Sequence, residues 1–276
     1  MVDGTDRIDR FGGRDVRWLR RPGRGVPAVL LGGCGVPYPM WQPVLDAAPQ
    51  ADLIRMDRPG MSGTDWPGVL PRLADEVETL SGLVSAVGRA VILVGHSMAG
   101  PHVEALARCR PDQVAGVVLV DGSLSWRPRP GLAEAPWLTG SRLIRQLHRL
   151  PAVPNATAWM QCRVASWQSL RTDPRTLAAL NRTYRDRQTL AMVTAESASY
   201  GRQLSDLASI RERYPWPGRP TILLTAAGGP RRQVTEQARL AEYLGAEQRV
   251  LDGCRHLVML DRPDAVARAI DDLQPG

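Results

Sequence analysis

Residues 91 to 100 read Val-Ile-Leu-Val-Gly-His-Ser-Met-Ala-Gly, and they contain the best candidate for nucleophilic chemistry in the chain, Ser97. Four apolar residues in a row, Val91 to Val94, suit a short strand buried on both faces. Met98, His102, Val103, Leu106 and Ala107 then recur at the three- and four-residue spacing of a helix. A strand that turns sharply into a helix holds the serine at the tip of the turn, with its hydroxyl presented for attack. Gly95 and Ala99 flank it because such a turn leaves no room for large side chains, and Gly100 keeps the helix close to its neighbouring strand. A serine hydroxyl is a poor nucleophile until a base takes its proton. The reading therefore demands a histidine, and a carboxylate to orient it, brought in from elsewhere in the chain.

The elements that must do this positioning can be read in order. Ile8 to Phe11, Gly12-Gly13 and Val16 to Leu19 predict a hairpin with a glycine turn. Pro22 to Gly25 is a loop, and Ala28 to Leu31 is a buried strand running into Gly32-Gly33-Cys34-Gly35. A helix is expected from Trp41 to Ala48 and a strand from Leu53 to Met56. Leu73 to Val87 is an amphipathic helix with Val77, Leu80, Val84 and Val87 on one side. After the serine turn come a strand at Val117 to Val120, closed by Asp121-Gly122-Ser123, then strands at Thr221 to Leu224 and Gln248 to Leu251. Helices at Val234 to Leu244 and Asp264 to Leu273 complete the pattern.

Between Asp121 and Thr221 the strand rhythm stops. This stretch is Arg-rich and helical, carries five of the eight tryptophans (Trp126, Trp137, Trp159, Trp167, Trp216), and is broken by Pro128 to Pro130 and Pro151 to Pro154. Strands alternating with helices imply an α/β fold: a mainly parallel central sheet with right-handed crossovers and helices on both faces. The helical interruption is expected to be a cap inserted after the sixth strand, over the carboxyl edge of the sheet, where ligands sit in such folds. The expected division is residues 1–123 and 218–276 as core and 124–217 as cap. The cap tryptophans are expected to pack its helices onto the core, with lining of an apolar pocket as the alternative. Arg127 and Arg129 are expected to be solvated, although they could meet an acidic substrate group.

Composition narrows the function classes. A chain of 276 residues can bury one α/β core with room for an inserted lobe. The net charge of +7 raises nucleic acid as a partner, but all 35 basic residues are Arg and lie scattered, without a dense run, so none is expected. No apolar run has the length of a membrane span, and the charged N-terminal stretch lacks an apolar signal core, so the expectation is a cytoplasmic chain. Cys34, Cys109, Cys162 and Cys254 form no Cys-x-x-Cys pair. Neither metal nor cofactor is expected, and the cysteines should be thiols.

Five landmarks in order carry a resemblance. They are Leu30-Leu31-Gly32-Gly33-Cys34-Gly35, Asp57-Arg58-Pro59-Gly60, Gly95-His96-Ser97-Met98-Ala99-Gly100, Leu119-Val120-Asp121, and Cys254-Arg255-His256 through Asp261-Arg262-Pro263-Asp264. Together they resemble the α/β-hydrolase family, in its capped form; the cap itself shows no match. The resemblance implies a Ser-His-acid triad with Ser97 as nucleophile. His256 is the implied base, since it stands on the loop after the last strand and alone among the four histidines fits the order serine, acid, histidine. Many relatives carry the acid after the strand that is Thr221 to Leu224 here, but Ala226-Ala227-Gly228-Gly229-Pro230 follows it. Asp121, one strand earlier, is the favoured acid, with a turn aspartate as the alternative reading and Asp252 as fallback. The oxyanion donors are expected to be Met98 N–H, at the start of the elbow helix, and Cys34 N–H by resemblance. The family usually has His where Gly32 stands, so a looser loop is expected there. Asp57 and Arg58 are expected to be structural turn residues. If both oxyanion assignments hold, Cys34 and Cys254 border one pocket, and thiol reagents would inhibit.

The chemistry so implied is hydrolysis of an ester, thioester or lactone through an acyl-enzyme, on a small-molecule substrate, apolar or bulky. Relatives that act on haloalkanes or epoxides carry Asp at the elbow, which disfavours those reactions. Alternatives are a non-hydrolytic enzyme of the same fold (acyltransferase, cyclase or C–C bond-cleaving) and a ligand-binding protein without turnover.

Overall fold

The computed structural model describes residues 5–122 and 134–275. Trp126, Arg127, Arg129 and the Pro128 to Pro130 loop lie outside the described residues. The chain begins with an antiparallel hairpin, β1 (Thr5–Phe11) and β2 (Arg14–Arg21), and β3 (Arg24–Leu31) follows. A short 3-10 turn at Tyr38–Trp41 leads into α1 (Gln42–Ala47) and β4 (Ala51–Asp57). Next come α2 (Leu73–Val87), β5 (Val91–His96), α3 (Ala99–Cys109) and β6 (Val114–Val120). Among the described residues four helices separate β6 from the next strand: α4 (Glu134–Leu147), α5 (Val153–Gln168), α6 (Pro174–Tyr184) and α7 (Arg187–Arg213). The chain closes with β7 (Thr221–Ala226), α8 (Arg231–Leu244), β8 (Glu247–Leu251), α9 (Val258–Asp261) and α10 (Pro263–Asp272).

The eight strands form one sheet in the order β1-β2-β4-β3-β5-β6-β7-β8. The β1–β2 and β2–β4 pairs are antiparallel, and every pair from β4–β3 to β7–β8 is parallel. This is the mainly parallel sheet with helices on both faces that the alternation of elements predicts. The apolar runs read as strands because both faces are covered. Ala28, Leu30, Ile92, Val94, Val118, Val120, Ile222 and Leu224 point into one core with α1 and α10. Their alternates Val29, Leu31, Val91, Leu93, Val117, Leu119 and Leu223 point into a second core with α2, α3 and α8. The strand ends are thereby rigid platforms for the loops beyond them.

Two expectations need correction here. Pro22 to Gly25 is not wholly loop, since β3 already starts at Arg24. The tryptophans of residues 134–217 do not share one role. Trp216 packs partly buried against the second core, whereas Trp137, Trp159 and Trp167 are exposed. Among the described residues no helix is long and apolar enough to cross a membrane.

Candidate active site

Ser97 stands between β5 and α3 with φ of +50°. A non-glycine residue in the left-handed region is strained, and the strain is held by a crowded turn. A Cβ on Gly95 would lie 2.8 Å from a Val103 methyl and 2.9 Å from the Ala99 carbonyl oxygen, so only glycine fits there. Ser97 N–H donates to the Val120 carbonyl at 3.0 Å, which ties the turn to the end of β6.

The structure brings three of the residues singled out in the sequence into one hydrogen-bonded row. His256 Nε2 is 3.0 Å from Ser97 Oγ, and His256 Nδ1 is 2.6 Å from Asp121 Oδ2. Asp121 follows β6, is 2% exposed, and has φ of +42°. Its carboxylate also accepts from Ala226 N–H (3.1 Å), Gln233 Nε2 (3.0 Å) and Gln237 Nε2 (3.2 Å). Four donors around one buried carboxyl stabilise the anion, which is what an orienting partner for an imidazole requires. The last residue of β7 supplies the backbone donor, and α8, beyond a loop empty of carboxylates, supplies the two glutamines. Asp252 lies exposed on the turn after β8 and takes no part.

The other histidines are committed elsewhere. His102 pairs with Gln203 at 2.7 Å and His148 with Thr157 at 2.9 Å. His96 is fully buried between two loops of the site. Its Nδ1 accepts from Gly33 N–H at 3.2 Å, so its Nε2 carries the hydrogen and donates to the His256 carbonyl at 2.9 Å. Burial, followed by the neighbouring His256, pushes its pKa well below the ordinary histidine value, so the ring is a neutral bridge. His256 is fixed by this contact and by the backbone on either side of it. Arg255 N–H donates to Asp261 at 2.8 Å and Leu257 N–H to the Gln168 carbonyl at 3.0 Å.

The loop after β3 passes close over the turn. A Cβ on Gly33 would come within 2.7 Å of Ser97 Cβ, and one on Gly32 within 2.0 Å of the Val36 carbonyl oxygen. Met98 N–H and Cys34 N–H, the two expected oxyanion donors, have no partner among the described residues. The loop is not loose, as the glycine at position 32 suggests, but pinned. Arg58, buried at the end of β4, donates from Nη1 to the Gly32 carbonyl at 2.5 Å and from Nη2 to the Gly33 carbonyl at 2.8 Å. Its Nε and Nη2 also meet the Glu196 carboxylate on α7. Burial alone would lower the Arg58 pKa, but Glu196 reverses the balance and raises it. Tyr184 adds a hydrogen bond to the Gly35 carbonyl at 2.8 Å. Arg58 is therefore more than a turn residue, because it connects the serine loop region to α7.

The thiols also depart from expectation. Cys34 Sγ faces the Val193 carbonyl and Ser197 on α7, while Cys254 Sγ donates to the Leu251 carbonyl. Burial, then Glu196, pushes Cys34 up to about 12. Burial, then Asp261 and Asp121, pushes Cys254 up to about 11. Neither is a reactive thiolate near neutral pH. Among the described residues no group of three or more His, Cys, Asp or Glu could hold a metal.

The profile of the Alpha/beta hydrolase family matches residues 22–269. The chain belongs to that family. Lipase LipV of Mycobacterium tuberculosis is 28% identical over 271 residues, covering 91% of this chain and 95% of that protein. Cfl2 from Burkholderia cenocepacia shares the fold with a TM-score of 0.76 at 17% identity, covering 98% of this chain and 95% of the other. A loop variant of the haloalkane dehalogenase DbeA from Bradyrhizobium elkanii has a TM-score of 0.69 at 20% identity, covering 98% and 97%. These last two similarities speak to the fold alone.

His96, Arg58 and Asp261 stand in the landmark motifs, but the sequence assigns them no supporting role, and Glu196, Gln233 and Gln237 are not singled out by it at all. The two glutamines leave a local signal, four residues apart on one face of α8.

Proposed function

We propose that the protein is a serine hydrolase that cleaves a carboxylic ester, thioester or lactone through an acyl-enzyme. The observation that carries this reading is the row Ser97–His256–Asp121, with spacings of 3.0 and 2.6 Å, at a strained turn. Asp121 accepts the Nδ1 hydrogen, which leaves Nε2 of the neutral imidazole free to accept the Ser97 proton. Ser97 Oγ attacks the acyl carbon, and its proton passes to Nε2. The carbonyl oxygen becomes an oxyanion facing Met98 N–H and Cys34 N–H. The imidazolium, stabilised by Asp121, protonates the leaving alcohol, thiol or ring oxygen. Water then repeats the sequence in reverse: Nε2 takes its proton, the acyl group leaves as a carboxylic acid, and Ser97 Oγ regains its hydrogen.

Residues 124–217 act in this reading as a cap over the site, divided from the core at 1–123 and 218–276. Its support is the contact of α7 with the loops after β3 and β4 through Ser197 and Glu196. The serine at the elbow, in place of the Asp that haloalkane- and epoxide-processing relatives carry, argues for acyl chemistry despite the dehalogenase likeness of the fold. The binding-protein alternative had one support, the missing acid after β7, and Asp121 removes the need for one there.

A panel of p-nitrophenyl esters of graded chain length, with acyl-thioesters and lactones, tests the proposal. Turnover of at least one member, lost in Ser97→Ala, is the expected result. A folded chain that turns over none of them contradicts it, and ester formation with an added alcohol would redirect it to acyl transfer.

A further inference from the structure

Helix α5 is inverted relative to an ordinary surface helix. It buries small residues, Thr157, Ala158 and Ala165, and turns its large apolar ones outward. Trp159 is 66% and Trp167 75% exposed, with Met160 and Val164 beside them and Leu170 just beyond the helix end. Positions 159, 160, 163, 164 and 167 follow the three- and four-residue spacing, so they form one stripe along the helix with Arg163 inside it. Soluble surfaces carry scattered apolar residues, but two indoles and two aliphatic side chains in a row mark a contact surface.

Charge selects the partner. Residues 153 to 172 hold Arg163 within the stripe and Arg171 just beyond the helix, and no Asp or Glu, and exposed Arg255 reaches the helix end through the Trp167 carbonyl. A second copy of this chain docking on the stripe would set these guanidinium groups against their own copies, with no carboxylate from α5 to pair them. An anionic lipid surface satisfies both features, because indoles suit the headgroup boundary and arginines attract acidic lipids.

The stripe is also joined to the chemistry. At the end of α5 the Trp167 carbonyl accepts from Arg255 and the Gln168 carbonyl from Leu257, the residues either side of His256. The buried Asp261 carboxylate ties Ser169 Oγ, Leu170 N–H and Arg171 N–H to Arg255 N–H.

We propose that the outward face of α5, with Arg163, Arg171 and Arg255 at it, docks the protein on an anionic lipid surface, so that the site takes acyl esters presented by that surface. The choice of substrate rests on the acyl-ester reading above, whereas docking stands by itself. The helix lies along the surface with its indoles at headgroup level, and the loop carrying His256 sits next to the contact.

The test is co-sedimentation of the full chain with vesicles of phosphatidylcholine and phosphatidylglycerol in equal parts, against phosphatidylcholine alone. It is run on Ser97→Ala as well, so that binding is read without turnover. Expected is a several-fold larger bound fraction on the anionic vesicles for both chains, weakened by salt, with a blue shift of tryptophan emission. Replacing both indoles (Trp159→Ser with Trp167→Ser) should lower partitioning about tenfold, while the melting temperature stays within a few degrees because both rings are exposed. Arg163→Gln with Arg171→Gln should abolish most of the preference for anionic vesicles. No vesicle binding, equal binding by the double-tryptophan variant, or a dimer by light scattering that the same variant abolishes would overturn the proposal. Binding that follows these expectations in a chain inactive on every ester would leave docking standing and refute the site reading instead.

Discussion

Asp121→Asn tests the role of the acid, because the surroundings dictate how the new amide must lie. The Oδ1 position faces two donors, Ala226 N–H and Gln237 Nε2, and one of them is backbone. An NH2 group placed there would face a fixed N–H, so the amide oxygen takes that position and the NH2 takes the Oδ2 position. There it points at His256 Nδ1, 2.6 Å away in the native chain. Nδ1 must then accept, the hydrogen moves to Nε2, and the imidazole donates to Ser97 Oγ instead of receiving its proton. The geometry survives and the base is lost. A wrong tautomer of this kind costs on the order of 10⁴ in kcat, equivalent to about 5 kcal/mol of transition-state stabilisation. Steady-state kcat on an active p-nitrophenyl ester measures the loss, and nitrogen-15 NMR of the imidazole reports which nitrogen carries the hydrogen. Activity within tenfold of the parent, or an unchanged Nδ1–H signal, would refute the reasoning.

Gly33→Ala sets a methyl 2.7 Å from Ser97 Cβ; displacement of Cys34 N–H should cost about 10² to 10³ in kcat, and parental kcat would contradict this. Burial raises Asp57 to about 6 despite its bonds from Ser62 and Tyr38 N–H. Between about pH 4 and 6 the folded chain then holds a proton the unfolded chain has lost. Stability contributed by this group therefore falls as pH rises through that window, by roughly 3 kcal/mol in all. Urea melts should show Asp57→Asn gaining on the parent by about 2 kcal/mol from pH 4 to 6.5, and parallel curves would refute it. Iodoacetamide at pH 7 should leave activity intact, with Cys34 and Cys254 unmodified by peptide mapping, because both thiols are held protonated. Inactivation that tracks modification of Cys34 would contradict this.

Much of the frame was legible because the cues were local. Helix α2 spans Leu73–Val87 as its periodicity predicts, and the buried runs at Val91 to Val94 and Val117 to Val120 lie in strands. The serine turn was legible through its small neighbours, since sterics at Gly95 leave a mark in residue type. Asp121 was ambiguous because Asp-Gly reads equally as a turn, and only the four donors that converge on it in space favour the other meaning. Arg58 was read as a turn residue because its carboxylate partner, Glu196, lies 138 positions away. The pinning of the Gly-rich loop was invisible for the same reason. The α5 tryptophans misled because an apolar residue in a helix is ordinarily inward, and nothing in the one-dimensional pattern says which face of α5 meets solvent.

The central claim is that Ser97 carries the acyl group during turnover. Intact-mass spectrometry after treatment with a fluorophosphonate, followed by peptide mapping, tests it most directly. One phosphonyl adduct on Ser97, absent from Ser97→Ala and slowed strongly in His256→Gln, is the predicted result. A folded chain that stays unmodified, or carries the adduct on another residue, would contradict it.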